Sequence, residues 1–578
     1  MLKILNKLLL YSMSGQLSGA DLSALLLITN AIQLNYKNNG STMKKIFSLC
    51  ALLIVIAIAA FLLLSKEGVK LLQGPKVHQG ATELRFNEIT TAFKHVSNFE
   101  DALPFMALSA IDVNNDGVDE IFVGGGIGQQ DAILQYDGTA LVNSAMGSGI
   151  SKDNADPSYG AMSIDATADG LADLFVARES GVYFYVNTGS GFSGGQIDFP
   201  LDKKSMPLSI AAGDINKDGY VDLYISNYIR PEFVEGETIF NDLAYGGTNN
   251  LLLNNGDNTF TDITKASGVY HQHNTFLSVL VDLNDDGHSE LVVAHDTGVP
   301  SIYKNNGDLT FSDVSLPVTF SYPMGIAVSD SNNDGKLDLY FSNVGPTLPS
   351  KLLRGDLRED QVLNQDYILL ENKGDLVFED TAKKRNAASY GFGWGLVSFD
   401  FNNDTLADYL FSQNYIRFPG ATSGLFDLYP GRLLQQKADG QFEAVEEMAG
   451  IANENFGVNM VVTDFNKDGW PDVVLGNLGS ELRAFVNNGG SNHWLKVRLT
   501  DSPASLGAIV TLETDAGETF VNQVYTSEGL GSDQSHELFF GLGEISAIKS
   551  LSVRYQSGIT KTINNPSIDT LISAESFQ

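Results

Sequence analysis

Seven nine-residue segments of this sequence share one acidic pattern: DVNNDGVDE from Asp112, DATADGLAD from Asp165, DINKDGYVD from Asp214, DLNDDGHSE from Asp282, DSNNDGKLD from Asp330, DFNNDTLAD from Asp400 and DFNKDGWPD from Asp464. Oxygen donors recur at positions 1, 3, 5 and 9, a backbone carbonyl is available at position 7, and a glycine at position 6 permits a sharp turn. Such a set of carboxylate, amide and carbonyl oxygens suits a hard cation, and calcium is its natural occupant. The candidate ligands are Asp112, Asn114, Asp116 and Glu120 in loop 1, Asp165, Asp169 and Asp173 in loop 2, and Asp214, Asn216, Asp218 and Asp222 in loop 3. Loop 4 offers Asp282, Asn284, Asp286 and Glu290, and loop 5 offers Asp330, Asn332, Asp334 and Asp338. Loop 6 offers Asp400, Asn402, Asp404 and Asp408, and loop 7 offers Asp464, Asn466, Asp468 and Asp472. Filling every loop would take about seven Ca2+. Thr167 replaces the position-3 amide of loop 2 and Thr405 the turn glycine of loop 6, so these two sites are expected to be the weakest or empty.

An EF-hand would carry a bidentate Glu at position 12 and open into a helix. Here position 12 is Val123, Val176, Ile225, Val293, Phe341, Phe411 or Leu475, and the runs that follow, such as LYISN and DVVLGN, are β-rich and short. Each loop therefore joins two strands. A second hairpin with an N-G or D-G turn follows most loops, as in LLLNNGDNTFTDIT from Leu251 and IYKNNGDLTFSDVS from Ile302. The first acids of successive loops are 48 to 70 residues apart, the length of a four-stranded propeller blade with insertions. The predicted fold is all-β: a seven-bladed β-propeller with calcium-binding loops over 83–490, plus a small C-terminal β domain over 492–578. The last repeat lacks its fourth strand, and ELRFNEIT from Glu83 is expected to supply it and close the ring.

The loops and the N-N-G-D turns resemble the FG-GAP/VCBS repeats of integrin α-subunit propellers and related bacterial proteins. NHWLKVRL from Asn492, LGAIVTLET from Leu506, SEGLGSDQSHELFFGLG from Ser527 and LSVRYQSG from Leu551 resemble an ASPIC/UnbV domain. The combination is similar to a bacterial-type relative of the cartilage acidic protein family. The resemblance implies calcium ligation by the loop acids, an exported location and an adhesive or interaction role.

Composition bounds the partners. The chain has 36 Lys+Arg against 70 Asp+Glu, a net charge of -34 that repels nucleic acid and anionic membrane surfaces. Its one cysteine, Cys50, allows no internal disulfide, which leaves metal ions as the obvious staples. Ile46–Ser65 carries no charge over twenty residues, enough for a membrane-spanning helix, and it follows Met43-Lys44-Lys45. Residues 43–66 therefore read as an uncleaved signal anchor or a cleaved signal peptide, and 1–42 as an N-terminal extension or cytoplasmic tail. The large domain is expected outside the cytoplasm, in the periplasm or on the cell surface, anchored by this helix or secreted after cleavage.

His271-x-His273 is the one close histidine pair, and no G-x-S-x-G, P-loop or H-E-x-x-H motif occurs. A non-catalytic module that binds a protein or glycan is the favoured reading, and a propeller-type polysaccharide lyase or hydrolase with dispersed catalytic residues is the alternative. Long insertions at 227–248, 343–365 and 413–430 fall between the second and third strands of their blades, hence on the face opposite the loops. That face would gather Tyr228, Arg230, Phe233, Arg354, Arg358, Tyr415, Arg417 and Phe418, residue types enriched at recognition hot spots.

Overall fold

Glycine and serine punctuate runs of Val, Ile and Leu in the first strand of each repeat, and this composition lets strands lie close along a common axis. The computed structural model describes residues 77–97, 103–151, 153, 155–233, 246–345, 361–413 and 430–577. Their secondary structure is almost entirely β, in a β-propeller-like ring of four-stranded antiparallel meanders. Sheet 1 runs Leu108–Ile111, Glu120–Val123, Ala132–Tyr136 and Ala140–Asn143, and sheet 2 runs Ser158–Ile164, Asp173–Arg178, Gly181–Asn187 and Phe192–Gln196. Sheets 3 to 6 begin at Ser205–Gly213, Thr275–Val281, Ile326–Ser329 and Gly393–Phe399 and repeat the same order. Sheet 7 takes three strands from Gly457–Thr463, Asp472–Asn477 and Arg483–Asn487, and its fourth is the N-terminal strand Phe86–Thr91. Phe86 lies opposite Asn487 and Ile89 opposite Ala484 in antiparallel register, so the truncated last repeat is completed as its sequence requires.

The first strands are buried on both faces, as in SYGAMSI of sheet 2, TFLSVLV of sheet 4 and GVNMVVT of sheet 7. Each packs against the first strand of the next sheet, and Gly457–Thr463 packs back on Leu108–Ile111, which closes the circle. Close approach explains the glycines: a Cβ on Gly160 would meet the Leu208 carbonyl at 2.3 Å, and one on Gly325 the Trp394 carbonyl at 2.5 Å. Larger side chains there would push neighbouring sheets apart.

Residues 493–577 form two packed sheets. One pairs Thr570–Ser573, His493–Arg498 and Glu537–Gly543; the other pairs Thr519–Gln523, Ile509–Thr514, Ile548–Arg554 and Thr560–Asn564. Leu495, Val497, Val510, Leu512, Phe540, Leu551 and Val553 fill the space between them.

The segment from Gln523 to Ser535 leaves this domain and enters the ring axis. It hydrogen-bonds the inner edge of every sheet: Leu108 N–H donates to the Gly531 carbonyl (3.2 Å), Ser163 N–H to Asp533 (2.9 Å), Ala212 N–H to Thr526 (2.9 Å) and Asp282 N–H to Gln523 (3.2 Å). Gly529 N–H donates to the Ile326 carbonyl (3.3 Å), while Ser398 N–H and Val462 N–H, each at 2.9 Å, donate to Glu528 and Gln534. From the other end Phe105 fills the axis, its ring centroid 5.9–6.3 Å from those of Tyr159, Tyr228, Phe276 and Trp394.

Among the described residues no helix is long and apolar enough to cross a membrane. The expected spanning segment Ile46–Ser65 lies outside the described residues, as do Arg354, Arg358, Tyr415, Arg417 and Phe418.

Candidate metal centres in seven loops

All seven acidic segments connect the first and second strands of their sheets and have one backbone shape. Position 4 is left-handed in each: φ is 55° at Asn115, 56° at Ala168, 59° at Lys217, 62° at Asp285, 54° at Asn333, 51° at Asn403 and 60° at Lys467. Position 6 is left-handed too, with φ of 77–89° at Gly117, Gly170, Gly219, Gly287, Gly335 and Gly469. Thr405, at position 6 of loop 6, adopts φ 81°. The threonine has not changed the loop; it is held in a conformation that a β-branched residue rarely takes.

The position-1 aspartate organises this shape. In every loop one of its oxygens accepts the position-5 N–H and the other the position-6 N–H, at 3.0 and 2.8 Å in loop 1 and at 3.0 and 2.7 Å in loop 6. Loop 2 keeps the same pair of bonds, at 3.0 and 2.9 Å. Thr167 and Thr405 therefore leave the frame intact.

Position 9 anchors the loop to the sheet. In loops 2, 3, 5, 6 and 7 one oxygen of this aspartate accepts the position-2 N–H, and the other accepts an N–H from the third strand: Asn187, Asn254, Asn372, Gln436 or Asn487, at 2.7–2.9 Å. Loops 1 and 4 carry Glu120 and Glu290 instead. Each Glu accepts the position-2 N–H with Oε2; Oε1 of Glu120 meets the Asn114 amide at 3.3 Å, and Oε1 of Glu290 is buried with no hydrogen-bond partner among the described residues. The turn residues Asn187, Asn254, Asn372 and Asn487 were not singled out by the acidic pattern. Their signal was the Asn that opens each N-x-G turn, at a separation from position 9 that ranges from 14 residues for Asn187 to 34 for Asn372.

The position-9 carboxylates are at most 5 % exposed. Burial is the largest cause of their upward shifts, to about 7 for Glu120, Asp222 and Asp338, about 8 for Glu290 and about 6 for Asp173. Asp408 and Asp472 are pushed well above the usual carboxylate range by the same cause, reinforced by the neighbouring loop acids. Buried carboxylates this close together call for a positive charge.

Among the described residues no group of three or more His, Cys, Asp and Glu side chains stands arranged to hold a metal ion. A cation in these loops must therefore draw on amide and backbone oxygens as well. The loops hold such groups: Asn216, Asn284, Asn402 and Asn466 each donate an amide N–H to the position-5 carboxylate at 2.7–3.0 Å, so their amides, oxygens included, sit within the loop beside that acid. The Oδ1 of Asn402 is buried without a hydrogen-bond partner among the described residues. With the orphaned Glu290 Oε1, these features fit a hard cation such as Ca2+.

The C-terminal domain lies against the loop side of the ring. Arg498 reaches Asp112 (2.7 Å) and Asp119 (2.6 Å), and Lys496 is 2.7 Å from both Asp464 and Glu537. Arg554 approaches Asp282 at 3.8 Å and also pairs with Asp285.

Of the residues expected on the opposite face, Tyr228 is half-buried, its hydroxyl donating to Asp296 and its ring packing on Phe105 and Phe276. Tyr228 thus belongs to the packed ring centre. Half-buried Arg230 donates from Nε to the Ser205 carbonyl (2.9 Å), and Phe233 closes a short turn on the Arg230 carbonyl. His271 and His273 are joined in space by His295, with His271 and His295 ring centroids 4.4 Å apart. Burial is the first cause that lowers His271 to about 4 and His295 well below the usual range, so these two rings are neutral at pH 7.

These features define a class. Residues 165–225 and 282–341 match the FG-GAP-like repeat, and residues 500–576 match ASPIC and UnbV. The chain thus carries FG-GAP-like repeats followed by an ASPIC and UnbV region. It is similar to cartilage acidic protein 1 of Homo sapiens, with 24 % identity over 488 residues covering 78 % of this chain and 68 % of the relative. The same protein of Xenopus tropicalis is 23 % identical over 494 residues, covering 80 % and 72 %. Among solved structures, an Agrocybe aegerita protein described as specifically recognising non-reducing terminal N-acetylglucosamine aligns with a TM-score of 0.36 and 16 % identity, covering 65 % of this chain and 91 % of its own. The V. cholerae biofilm matrix protein Bap1 aligns with a TM-score of 0.31 and 14 % identity, covering 83 % and 62 %.

Proposed function

We propose that this protein is an extracytoplasmic, non-catalytic interaction module: a closed seven-bladed β-propeller, stapled by Ca2+ in its loops, that binds a protein or glycan partner on the face opposite those loops. The observation that carries this reading is the position of the C-terminal domain. It covers loops 1, 4 and 7 with Arg498, Arg554 and Lys496, and its 523–535 segment fills the axis, so the broad surface left for a partner is the opposite rim. Antiparallel strand order brings the second-to-third-strand connections to that rim, including the stretch of Arg230 and Phe233 that follows Asp222–Ile229.

Calcium is supported by the buried position-9 carboxylates and by the unpartnered oxygens of Glu290 and Asn402. Positions 1, 3, 5 and 9 would hold the ion with the position-7 carbonyl, and the ion would neutralise acids that otherwise repel one another. A place outside the cytoplasm is supported by the uncharged run Ile46–Ser65, long enough for a membrane-spanning helix.

The test is a screen of the protein, with calcium present, against glycan arrays and surface proteins, alongside an assay for cleavage of acidic polysaccharides. Binding weakened by Arg230→Ala combined with Arg417→Ala is expected. Retained binding would move the site off this rim, and chain cleavage abolished by one rim substitution would replace the binder with an enzyme.

A further inference from the structure

Among the described residues, three of the seven loops carry a positive charge against the position-1 aspartate, and four do not. In loop 7 the Lys496 ammonium is 2.7 Å from Asp464, and in loop 1 the Arg498 guanidinium is 2.7 Å from Asp112. In loop 4 Arg554 is 3.8 Å from Asp282 and paired with Asp285. All three cations belong to the C-terminal domain. Lys496 and Arg498 alternate along the strand His493–Arg498, so they point to the same side and bridge loops 7 and 1, which are neighbours in the ring. Among the described residues no comparable ion pair reaches Asp165, Asp214, Asp330 or Asp400, the first acids of loops 2, 3, 5 and 6. Lys304 and Lys336 approach the position-5 acids Asp286 and Asp334 at 3.5 and 3.3 Å, but both lysines are more than one-third exposed and screened by solvent.

We propose that Lys496, Arg498 and Arg554 sort the loops into two calcium-affinity classes, with loops 2, 3, 5 and 6 tight and loops 1, 4 and 7 weak; loops 2 and 6, expected from Thr167 and Thr405 to be the weakest, join the tight class because their frames are intact. The inference rests on the reading of the loops as Ca2+ sites and adds how they differ. A position-1 carboxylate shared with an ammonium or guanidinium has less charge to give a divalent ion, and the ion is repelled by a cation one carboxylate away. Glu537, 2.7 Å from Lys496 and 3.5 Å from Arg498, and Asp119, 2.6 Å from Arg498, offset part of that charge. The expected penalty is therefore modest, roughly three- to tenfold in affinity per loop. By linkage, an ion entering loop 1, 4 or 7 loosens the hold of the C-terminal domain by the same factor.

The test is a Ca2+ titration of the full chain against a chromophoric chelator, repeated on Lys496→Met and Arg554→Gln. About four ions are expected to bind more tightly than the rest, and each variant should move one further ion into the tight class. Lys496 is buried and its loss can unfold the interface, whereas the Arg554 side chain is 31 % exposed, so Arg554→Gln keeps the test decisive. Seven equivalent sites, or an Arg554→Gln chain with unchanged affinities, would overturn the two classes while leaving calcium binding in place. No uptake at millimolar Ca2+ would overturn both readings.

Discussion

The side-chain amide of Asn372 donates to the carbonyl of Leu283 at 2.6 Å, joining the turn of sheet 5 to position 2 of the calcium-type loop of sheet 4. The same amide reaches the Leu337 carbonyl (3.2 Å), its oxygen accepts the Gly374 N–H (2.9 Å), and the Asn372 N–H holds Asp338 (2.7 Å). Asn187 with Val113 and Asn487 with Phe401 repeat the link elsewhere in the ring, at 2.9 and 2.8 Å. Neighbouring loops are therefore mechanically tied.

Asn372 is fully buried, so Asn372→Ala strands two carbonyls and one N–H and is expected to cost roughly 2–4 kcal/mol. The matching change at Asn306, an exposed turn residue bonded only to Thr310 and Ser312, should stay within about 0.5 kcal/mol. Urea unfolding of both variants checks the contrast; equal losses would mean that the link between loops carries no stability.

Removal of calcium should expose a distinctive pH dependence. Folded Glu120, Asp222, Glu290 and Asp338 titrate at about 7 to 8, above the ordinary carboxylate range, so between about pH 4 and 8 the folded chain binds more protons than the unfolded one. Stability of the chelated protein must then fall as pH rises from 5 to 8, because the buried acids lose protons without a counter-charge. Excess Ca2+ should raise the melting temperature most at pH 8 and flatten the slope. A chelated protein whose melting temperature is the same with and without calcium across this range would argue against the loops as ion sites.

The loops were legible because their chemistry is local: nine residues with fixed offsets specify Asx-type turns whatever surrounds them. Closure by Phe86–Thr91 was legible for a related reason, since the last repeat visibly lacked a strand that the N-terminus could provide. The axial segment was not. Ser527, Glu528 and Gln534 find partners such as Ile210, Ser398 and Val462 at separations of 72 to 317 residues, and a Gly- and Ser-rich stretch reads locally as a surface turn. Lys496 and Arg498 were hidden similarly, because alternating charges on a strand ordinarily face water. Tyr228 was placed on the rim because it opens a long connection; its ring instead meets Phe105, a contact that no spacing announces.

His536 locks the base of the axial segment. It is buried between Asp501 (3.1 Å) and Asp533 (3.6 Å); hydrogen bonds and charge from these two carboxylates outweigh the cost of burial and raise it to about 10. A histidine raised in the folded state gives stability that is full below its ordinary value near 6.5 and lost as pH climbs through about 10. His536→Gln should therefore lower stability at pH 7 by about 3 kcal/mol, and the gap from the unmodified chain should narrow steadily above pH 7 and close near pH 10. A gap that stays constant over that range would show that His536 acts by shape alone.

Thr405 offers the most direct test of whether loop 6 is kept for a purpose. Its φ of 81° is one that a β-branched residue holds at a cost of about 1–2 kcal/mol, and the surroundings enforce it. Its N–H is bound to Asp400 (2.7 Å), its carbonyl accepts the Asn333 amide (3.0 Å), and neighbouring Asn403 is pinned by the Gly469 carbonyl (3.1 Å) and the Gly543 N–H (2.7 Å). Glycine occupies this position in the other six loops and would relieve the strain, while giving back about 0.5–1 kcal/mol through a more flexible unfolded chain. Thr405→Gly should accordingly stabilise the protein by up to about 1 kcal/mol in calcium and in chelator alike. Its calcium affinity should be nearly unchanged, because Asp400, Asn402, Asp404 and Asp408 already stand in the common frame. A large gain in bound calcium would instead mean that the threonine disables loop 6, as its sequence alone suggested.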